Sequence, residues 1–381
     1  MTSETPMNSG KLCSALSLLG FKQASRTALS ILSLVAMFTL FCAGASLGQA
    51  PSPLPGTTFR GQVPSGVGSR PPITQAIRDG RSARAQSSSP KPSPQSLGVT
   101  DVGAQYSYVT IEIPNTAFVQ PNSINNLGVA AGYYGDANYA LHGFVWQNGL
   151  VQVVDYPGAI GTELTGVNNR GIAFGTYWDS KYNTYTFTYS IANATWTVLP
   201  AIPGTWQDLF GYGGINDRGE ATGCAFGFYG TLSWIWHPDS ETYSYYTVPD
   251  ATEAGTCGLA LNNGRVAGVL GTVDSYVQQL FIGKPGERFL TTVVPPSLMS
   301  AGFFPPFNLN ASDTLVGTWA GSNSTTISGF MLTRSGAFSV LNVPGADQTY
   351  LAGINDSGVL CGNIYYSATG ASPGFIAYPL H

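Results

Sequence analysis

The sequence predicts an all-β protein whose main domain is a six-bladed β-propeller. Three observations support this: a turn motif that recurs six times, a nearly constant interval between its copies, and several strand-like segments in each interval. In a phrase such as "GINDRG" (214–219), Asn and Asp cap their own turn and Gly adopts positive φ at no steric cost. A turn repeated at a fixed interval indicates a repeat architecture.

The composition agrees with strands joined by tight turns. The chain has 381 residues, of which 43% are hydrophobic and only 9% charged, with 47 Gly and 20 Tyr. Few charges and many aromatic residues favour strands over long surface helices. Residues 105–381 carry 17 acidic and 7 basic side chains, a net charge of about −10. This part lacks a cationic surface, so no nucleic-acid partner is expected.

Residues 1–50 are predicted to be a signal peptide. Basic residues precede an apolar run over 28–45, and the small residues at 43–45 and 48–50 suit signal peptidase. The run is nearly long enough to span a bilayer, so the alternative is an uncleaved membrane anchor, the one case in which membrane contact is expected. Cleavage is favoured because small residues end the run where cleavage needs them. We therefore expect a secreted, periplasmic or cell-surface bacterial protein.

Residues 51–104 are predicted to be a disordered linker. Pro and Ser dominate this segment and no hydrophobic period is visible. Such a chain buries too little apolar surface to offset its ordering entropy. The alternative is a short helix near "PPITQAIRDGRSARA".

The propeller is predicted over 105–381 from its repeat units. The turn Asn, which we call the anchor, recurs at intervals of 43 to 48 residues, and a Gly follows six or seven residues later. The anchors are Asn125, Asn168, Asn216, Asn262, Asn310 and Asn355. The corresponding glycines are Gly132, Gly175, Gly223, Gly268, Gly317 and Gly362.

Each unit supplies four strands, one entering the turn and three following it, which is typical of propeller blades. The last unit stops at "PGFIAYPLH" and lacks its Pro-ended strand, whereas the domain begins with such a strand, "YVTIEIPNTA" (108–117). Pairing the first strand with the last blade would close the ring and leave no open edge. An open repeat stack or β-solenoid is the alternative, but it does not explain why the missing strand sits at the opposite end.

The first unit, with "SINNLGVAAGYY", "LHGFVW" and "VVDYPGA", resembles the bacterial extracellular repeats called the HAF family. The resemblance covers about 105–381 and implies secretion and a repeated β architecture, without an agreed activity. Only His142 keeps the family's His, and the corresponding later positions are Thr184 or Tyr185, Ser328 and Pro373. Chemistry that needs this His in every blade is therefore not expected.

The sequence predicts no catalytic residue, metal site or cofactor. There are three His in all, no metal-ligand spacing, and no nucleophile or dinucleotide motif. Asp136 and Asp179 follow equivalent strands and could form a glycosidase pair, but exposed loop acids are the favoured interpretation. Cys224 and Cys257 are predicted to reach the same height in adjacent blades, where they would form a disulfide or remain buried and unpaired.

Aromatic residues mark the most informative positions. They stand two or three residues beyond the repeated Gly, at Tyr134, Tyr177, Trp178, Trp319 and Tyr365. Equivalent positions of a propeller form a ring on one face, where Tyr and Trp could stack on sugars. Packing between blades is the alternative. The sequence therefore predicts a non-enzymatic binding module for an extracellular glycan or protein, with a propeller-type polysaccharide hydrolase or lyase as the rival function.

Overall fold

The computed structural model describes residues 100–202, 205–207, 213–227, 230–248, 256–272, 275–287, 289–292, 302–320 and 327–380. The predicted signal peptide and most of the predicted linker lie outside these residues. In this part of the chain, no helix has the length and apolar character that crossing a membrane requires.

The described strands form six sheets arranged as the blades of a β-propeller, which confirms the predicted fold class. Two strands precede the first blade: β1 (Thr100–Asp101) and, after a 3-10 turn at Gly103–Gln105, β2 (Tyr106–Ile111). Blade 1 contains β3 (Thr116–Ile124), β4 (Ala130–Asp136), β5 (Leu141–Gln147) and β6 (Leu150–Val153). Blade 2 contains β7 (Gly161–Val167), β8 (Ile172–Trp178), β9 (Thr184–Ser190) and β10 (Thr195–Val198).

The remaining blades repeat this order. Blade 3 contains β11 (Thr205–Gln207), β12 (Ala221–Gly227), β13 (Gly230–His237) and β14 (Thr242–Tyr246). Blade 4 contains β15 (Thr256–Asn262), β16 (Arg265–Thr272), β17 (Ser275–Gly283) and β18 (Leu290–Thr292). Blade 5 contains β19 (Gly302–Leu309), β20 (Leu315–Ala320), β21 (Ile327–Leu332) and β22 (Phe338–Leu341). Blade 6 contains β23 (Gln348–Ile354), β24 (Leu360–Tyr365) and β25 (Gly374–Pro379).

Strand β2 supplies the fourth strand of blade 6 and closes the ring, as predicted. It pairs antiparallel with β25, with Tyr108 opposite Ala377 and Thr110 opposite Phe375. At its end, Ile111 is buried in a cluster that combines residues of blades 6 and 1. The seam between the last and first blades is therefore sealed by both a strand ladder and an apolar core.

Strand β1 lies inside the segment predicted to be linker. It pairs in parallel with β22 at the outer edge of blade 5. Asp101 fixes it there, because its carboxylate accepts hydrogen bonds from the Asn342 main-chain N–H (3.2 Å) and side-chain amide (2.8 Å). Because β1 is only two residues long, the sequence shows no recognisable strand pattern there. The described chain thus begins on blade 5, which lies opposite blade 2 in a ring of six.

The core lies in the seams between blades. Leu164 of blade 2 is fully buried and packs with Val145 of blade 1. On the other side of blade 2, the ring of Phe174 lies 6.4 Å from that of Trp234 in blade 3. The outer strand β6 is exposed along its whole length. The surfaces left for a ligand are therefore the two faces of the ring and its rim.

The repeated Gly has a packing reason. Each well-described inner strand has a bulge, and in blade 2 the pairing with β8 skips Thr165. The bulge brings the carbonyl oxygen of Glu163 against Gly175, where an added Cβ would collide with it. Gly268 meets the carbonyl oxygen of Cys257 in the same way. Only Gly allows the two strands to approach so closely.

Candidate functional site

The propeller has two faces, and the order of the strands in each blade determines which loops lie on each face. The turns between the first and second strands of each blade carry the anchor Asn and lie on one face, which we call the Asn face. The hairpins between the second and third strands, and the loops that lead to the next blade, lie on the opposite face. We call this second face the Tyr face, because its described hairpins in blades 1 and 2 present tyrosines.

On the Asn face, the anchors join the blades. The Oδ1 atom of Asn125 caps its own turn by accepting hydrogen bonds from the N–H groups of Leu127 (3.0 Å) and Val129 (2.9 Å). Its Nδ2 donates to the carbonyl oxygen of Asn168 in the next blade, at 2.9 Å. Asn168, Asn310 and Asn355 donate equivalent bonds to the carbonyl oxygen of the next anchor, whereas Asn262 donates to that of Leu309, one residue before the next anchor. Asn216 differs, since its Nδ2 donates to Glu220 of its own blade.

The residues after the anchors form a second ring of hydrogen bonds around the channel mouth. The Asn169 N–H donates to Asp217 at 2.8 Å, and the Asp356 N–H donates to Asn126 at 2.9 Å. Both carboxylates also accept a side-chain amide bond, each at 2.7 Å, from Asn169 and Asn126 respectively. The cavity enclosed by these turns is about 80 Å³. These hydrogen bonds between polar groups join neighbouring turns at this mouth.

On the Tyr face, the hairpin tips of blades 1 and 2 share an unusual geometry. Tyr139 and Tyr182 both have φ of 64°, in the left-handed region that costs an L-residue about 1–2 kcal/mol. Both side chains are exposed, at 53% and 79%. Each stands three residues after an Asp whose Oδ1 accepts two main-chain N–H bonds of the tip, at 2.7 and 2.9 Å for Asp136 and at 2.8 and 2.9 Å for Asp179.

Hydrogen bonds at the hairpin tips favour the ionised form of the two carboxylates. The Ala140 N–H holds the pKa of Asp136 below its usual value, and the Asn183 side chain does the same for the pKa of Asp179. A group that donates a proton near neutral pH needs a raised pKa instead. Both residues are therefore turn caps that stay ionised, in agreement with the favoured interpretation of them as loop acids.

Blade 1 places a histidine beside these tips. His142 Nδ1 lies 2.7 Å from Asp155 Oδ2, and the other oxygen of Asp155 accepts the Gly143 N–H at 3.2 Å. Tyr134 stacks on the imidazole, with ring centroids 5.0 Å apart. A carboxylate can only accept here, so Nδ1 carries the proton. The ring is thereby held in one orientation, with both its side chain and that of Asp155 partly exposed.

Blade 2 carries a stack of three tyrosines. Tyr156 and Tyr177 are 3.7 Å apart and parallel within 4°, and Tyr177 lies 5.0 Å from Tyr185. Trp196 packs edge-on against Tyr156. The Tyr185 hydroxyl donates to Asp179 Oδ2 at 3.3 Å, which ties the stack to the hairpin tip. Burial, followed by the hydrogen bond with Tyr156, raises the pKa of Tyr177.

The five aromatic residues singled out from the sequence have different surroundings in the structure. Tyr134, Tyr177 and Trp178 lie half-buried near the Tyr face of the neighbouring blades 1 and 2. Trp319 packs against the apolar cluster of blades 3 to 5, and its indole nitrogen is buried without a hydrogen bond. Tyr365 is half-buried in blade 6, opposite Gln348.

The sequence analysis missed the exposed tyrosines at the tips. Their signal is an Asp followed by a Tyr three residues later, in "GDANYALH" (135–142) and "WDSKYNTY" (178–185). The Asp-capped turn is visible in that pattern, but the left-handed conformation of the Tyr is not.

The structure joins Cys224 of β12 to Cys257 of β15 in a disulfide, with Cα atoms 5.1 Å apart. The bond connects blades 3 and 4. Cys361 is buried in blade 6, and its burial raises the pKa of the thiol.

No protein-family model and no curated protein matches this sequence. Among solved structures, it is similar to TolB from Acinetobacter baumannii, with a TM-score of 0.45 and 9% identity over 65% of this chain. The chain spans 63% of the length of that protein. It is also similar to YjhT, with a TM-score of 0.43 and 13% identity over 69% of this chain and 94% of the other. A third similar structure is AofleA from Arthrobotrys oligospora, with a TM-score of 0.40 and 12% identity over 69% of this chain and 87% of the other.

Proposed function

We propose that this protein is an exported, non-enzymatic binding module and that its ligand binds on the Tyr face of blades 1 and 2. The observation that carries the proposal is the exposed, left-handed tyrosine at the same hairpin tip in both blades, Tyr139 and Tyr182. Gly at either position would avoid the backbone strain. Both tyrosines keep this backbone strain although the core does not need their side chains. This supports a role in recognition.

The surroundings of these tyrosines favour binding because they are rigid. Asp caps hold both tips, and the stack of Tyr156, Tyr177 and Tyr185 supports the tip of blade 2 from below. Aromatic side chains offer a large contact area for little rotamer entropy. A surface that is already in place loses less entropy when it binds a ligand.

The alternative function is a polysaccharide hydrolase or lyase. It is favoured by one observation, the imidazole of His142 held by Asp155, because a carboxylate-oriented imidazole can act as a base. Reducing or unsaturated ends released from a bound polysaccharide would be measured with the wild-type protein and with His142→Ala. Release that depends on His142 would establish the enzymatic function.

Export is supported by several features. The Cys224–Cys257 bond suits an oxidising compartment outside the cytoplasm. The basic and then apolar N-terminal segment and the resemblance to HAF repeats support the same location. Because the described chain begins on blade 5, a tether to the cell surface would attach across the ring from blade 2.

Retention of the exported full-length protein on immobilised polysaccharides and on intact bacterial cells tests the proposal. The double variant Tyr139→Ala/Tyr182→Ala is expected to lose about tenfold or more in affinity. Tyr378→Ala is the matched control, since this tyrosine is also exposed but lies in β25 near the Asn face. Equal retention of the wild type and the double variant would contradict the proposed face.

A further inference from the structure

We infer that the ligand of the Tyr face is a neutral polysaccharide built of pyranose units. This inference rests on the proposed function and names its ligand class. It follows from three properties of the same surface: which polar atoms it presents, which aromatic rings it exposes, and what charge it carries.

The oriented polar groups of this face accept hydrogen bonds. Since Nδ1 of His142 donates to Asp155, Nε2 is an acceptor whenever the ring is neutral. It has no hydrogen-bond partner among the described residues. A carboxylate has about four acceptor sites, and Asp155 uses two, for His142 and for the Gly143 N–H. Sugar hydroxyls can donate to all of these atoms, whereas a protein surface would also bring carbonyl groups that find few donors here.

The aromatic rings suit a repeating ligand. Tyr139 and Tyr182 occupy the same position in adjacent blades and are the most exposed rings among the described residues of this face. The C–H face of a pyranose stacks on such rings. A polysaccharide that reaches both rings should bind more tightly than its monosaccharide, because its second contact is intramolecular.

The charge of the face argues against anionic polymers. Its loops over 134–142, 154–161 and 177–185 carry Asp136, Asp155 and Asp179, and only one basic residue, Lys181. These carboxylates would repel the negative charges of a uronate or sulfated polymer. A neutral sugar has no such penalty, and the carboxylates strengthen the bonds that its hydroxyls donate.

Affinity electrophoresis of the full-length protein tests this inference. Gels of equal ionic strength would contain a neutral polymer (mannan, xyloglucan or laminarin) or an anionic one (alginate or polygalacturonate). We expect retardation by at least one neutral polymer and by neither anionic polymer. Tyr182→Ala should weaken retardation about tenfold, and Tyr378→Ala should leave it unchanged.

Other outcomes would overturn the inference in distinguishable ways. Retardation by alginate that Lys181→Gln weakens would show an anionic ligand and leave the binding function intact. Adhesion to cells that depends on Tyr139 and Tyr182, without retardation by any polysaccharide, would replace the glycan by another partner on the same face. Retardation that the double tyrosine variant does not change would reject the face itself, and with it the proposed site.

Discussion

The side-chain amide of Asn355, in the last blade, donates a hydrogen bond of 3.1 Å to the main-chain carbonyl of Asn125, in the first. The two residues are 230 positions apart, and each occupies the same place in its repeat. The same contact links blade 1 to blade 2 and blade 2 to blade 3, and this bond repeats it between blade 6 and blade 1. The repeated Asn is therefore both a turn residue and the joint between blades.

Asn355→Ala is expected to lower the free energy of unfolding by about 2–4 kcal/mol, because it removes the bond to Asn125 and both caps of its own turn. Urea denaturation measures the loss. Asn216→Ala is a comparison variant, since Asn216 caps its turn in the same way but donates to the Glu220 carboxylate of its own blade. Each variant removes two caps and one amide bond, so the two losses should be similar. A loss below about 1 kcal/mol in Asn355→Ala would contradict the joint.

Ile111→Ala should destabilise the closed ring by about 2–4 kcal/mol, because it opens a cavity in the seam between blades 6 and 1. Val109→Ala lies on the same strand, but its side chain is 43% exposed. It should change the free energy of unfolding by less than about 0.5 kcal/mol. Similar values for the two variants would argue against the closing strand.

Trp319→Ala distinguishes packing from ligand contact at this position. Trp319 lies against a buried cluster that includes Phe307 and Phe330. Truncation should therefore cost about 3–5 kcal/mol and lower the melting temperature, with no ligand present. An unchanged melting temperature would show that the indole is not part of the core.

Glu163 should make stability fall as pH rises. Burial raises its pKa to about 8, so the folded state keeps a proton that the unfolded chain loses near its usual value of 4.5. The stabilisation is complete below about pH 4.5 and is lost as pH rises through 8, at up to about 1.4 kcal/mol per pH unit.

Denaturation measures the free energy of unfolding of the wild type and of Glu163→Gln between pH 5 and 9. The difference between the two values isolates the effect of this residue from that of the other titrating groups. Relative to the wild type, the variant should gain stability from pH 5 to about 8 and level off above that pH. A difference that does not vary with pH would refute the prediction.

Tyr182→Gly should stabilise the fold while impairing binding. Gly adopts a φ of 64° freely, which removes about 1–2 kcal/mol of strain, but it also adds about 0.5–1 kcal/mol of chain entropy to the unfolded state. The net gain over Tyr182→Ala should be about 0.5–1 kcal/mol, since Ala keeps the strain. Thermal unfolding of both variants tests this, and a lower melting temperature for the Gly variant would count against the left-handed tip.

Much of the fold could be predicted from the sequence because its signals are local. The anchor Asn, the Gly that follows it and the alternation of apolar residues all depend on neighbours within one hairpin. Counting anchors therefore predicted six blades, and the strand left over at one end predicted the closure between β2 and β25. The pairing of Cys224 with Cys257 could be predicted for the same reason, since their positions on either side of two anchor turns place them at about the same height in adjacent blades.

The geometry of the Tyr face depended on tertiary structure. His142 and Asp155 are separated by 13 positions and meet only because the loop after β6 folds back over β5. Tyr156 and Tyr177 stack because two neighbouring blades bring a loop and a strand together at one angle. The left-handed backbone at Tyr139 and Tyr182 is set by the two Asp caps, and propensity favours Gly there instead. Turn chemistry is determined within a few residues, whereas contacts across a seam depend on the twist and rotation of whole blades, which only packing around the closed ring determines.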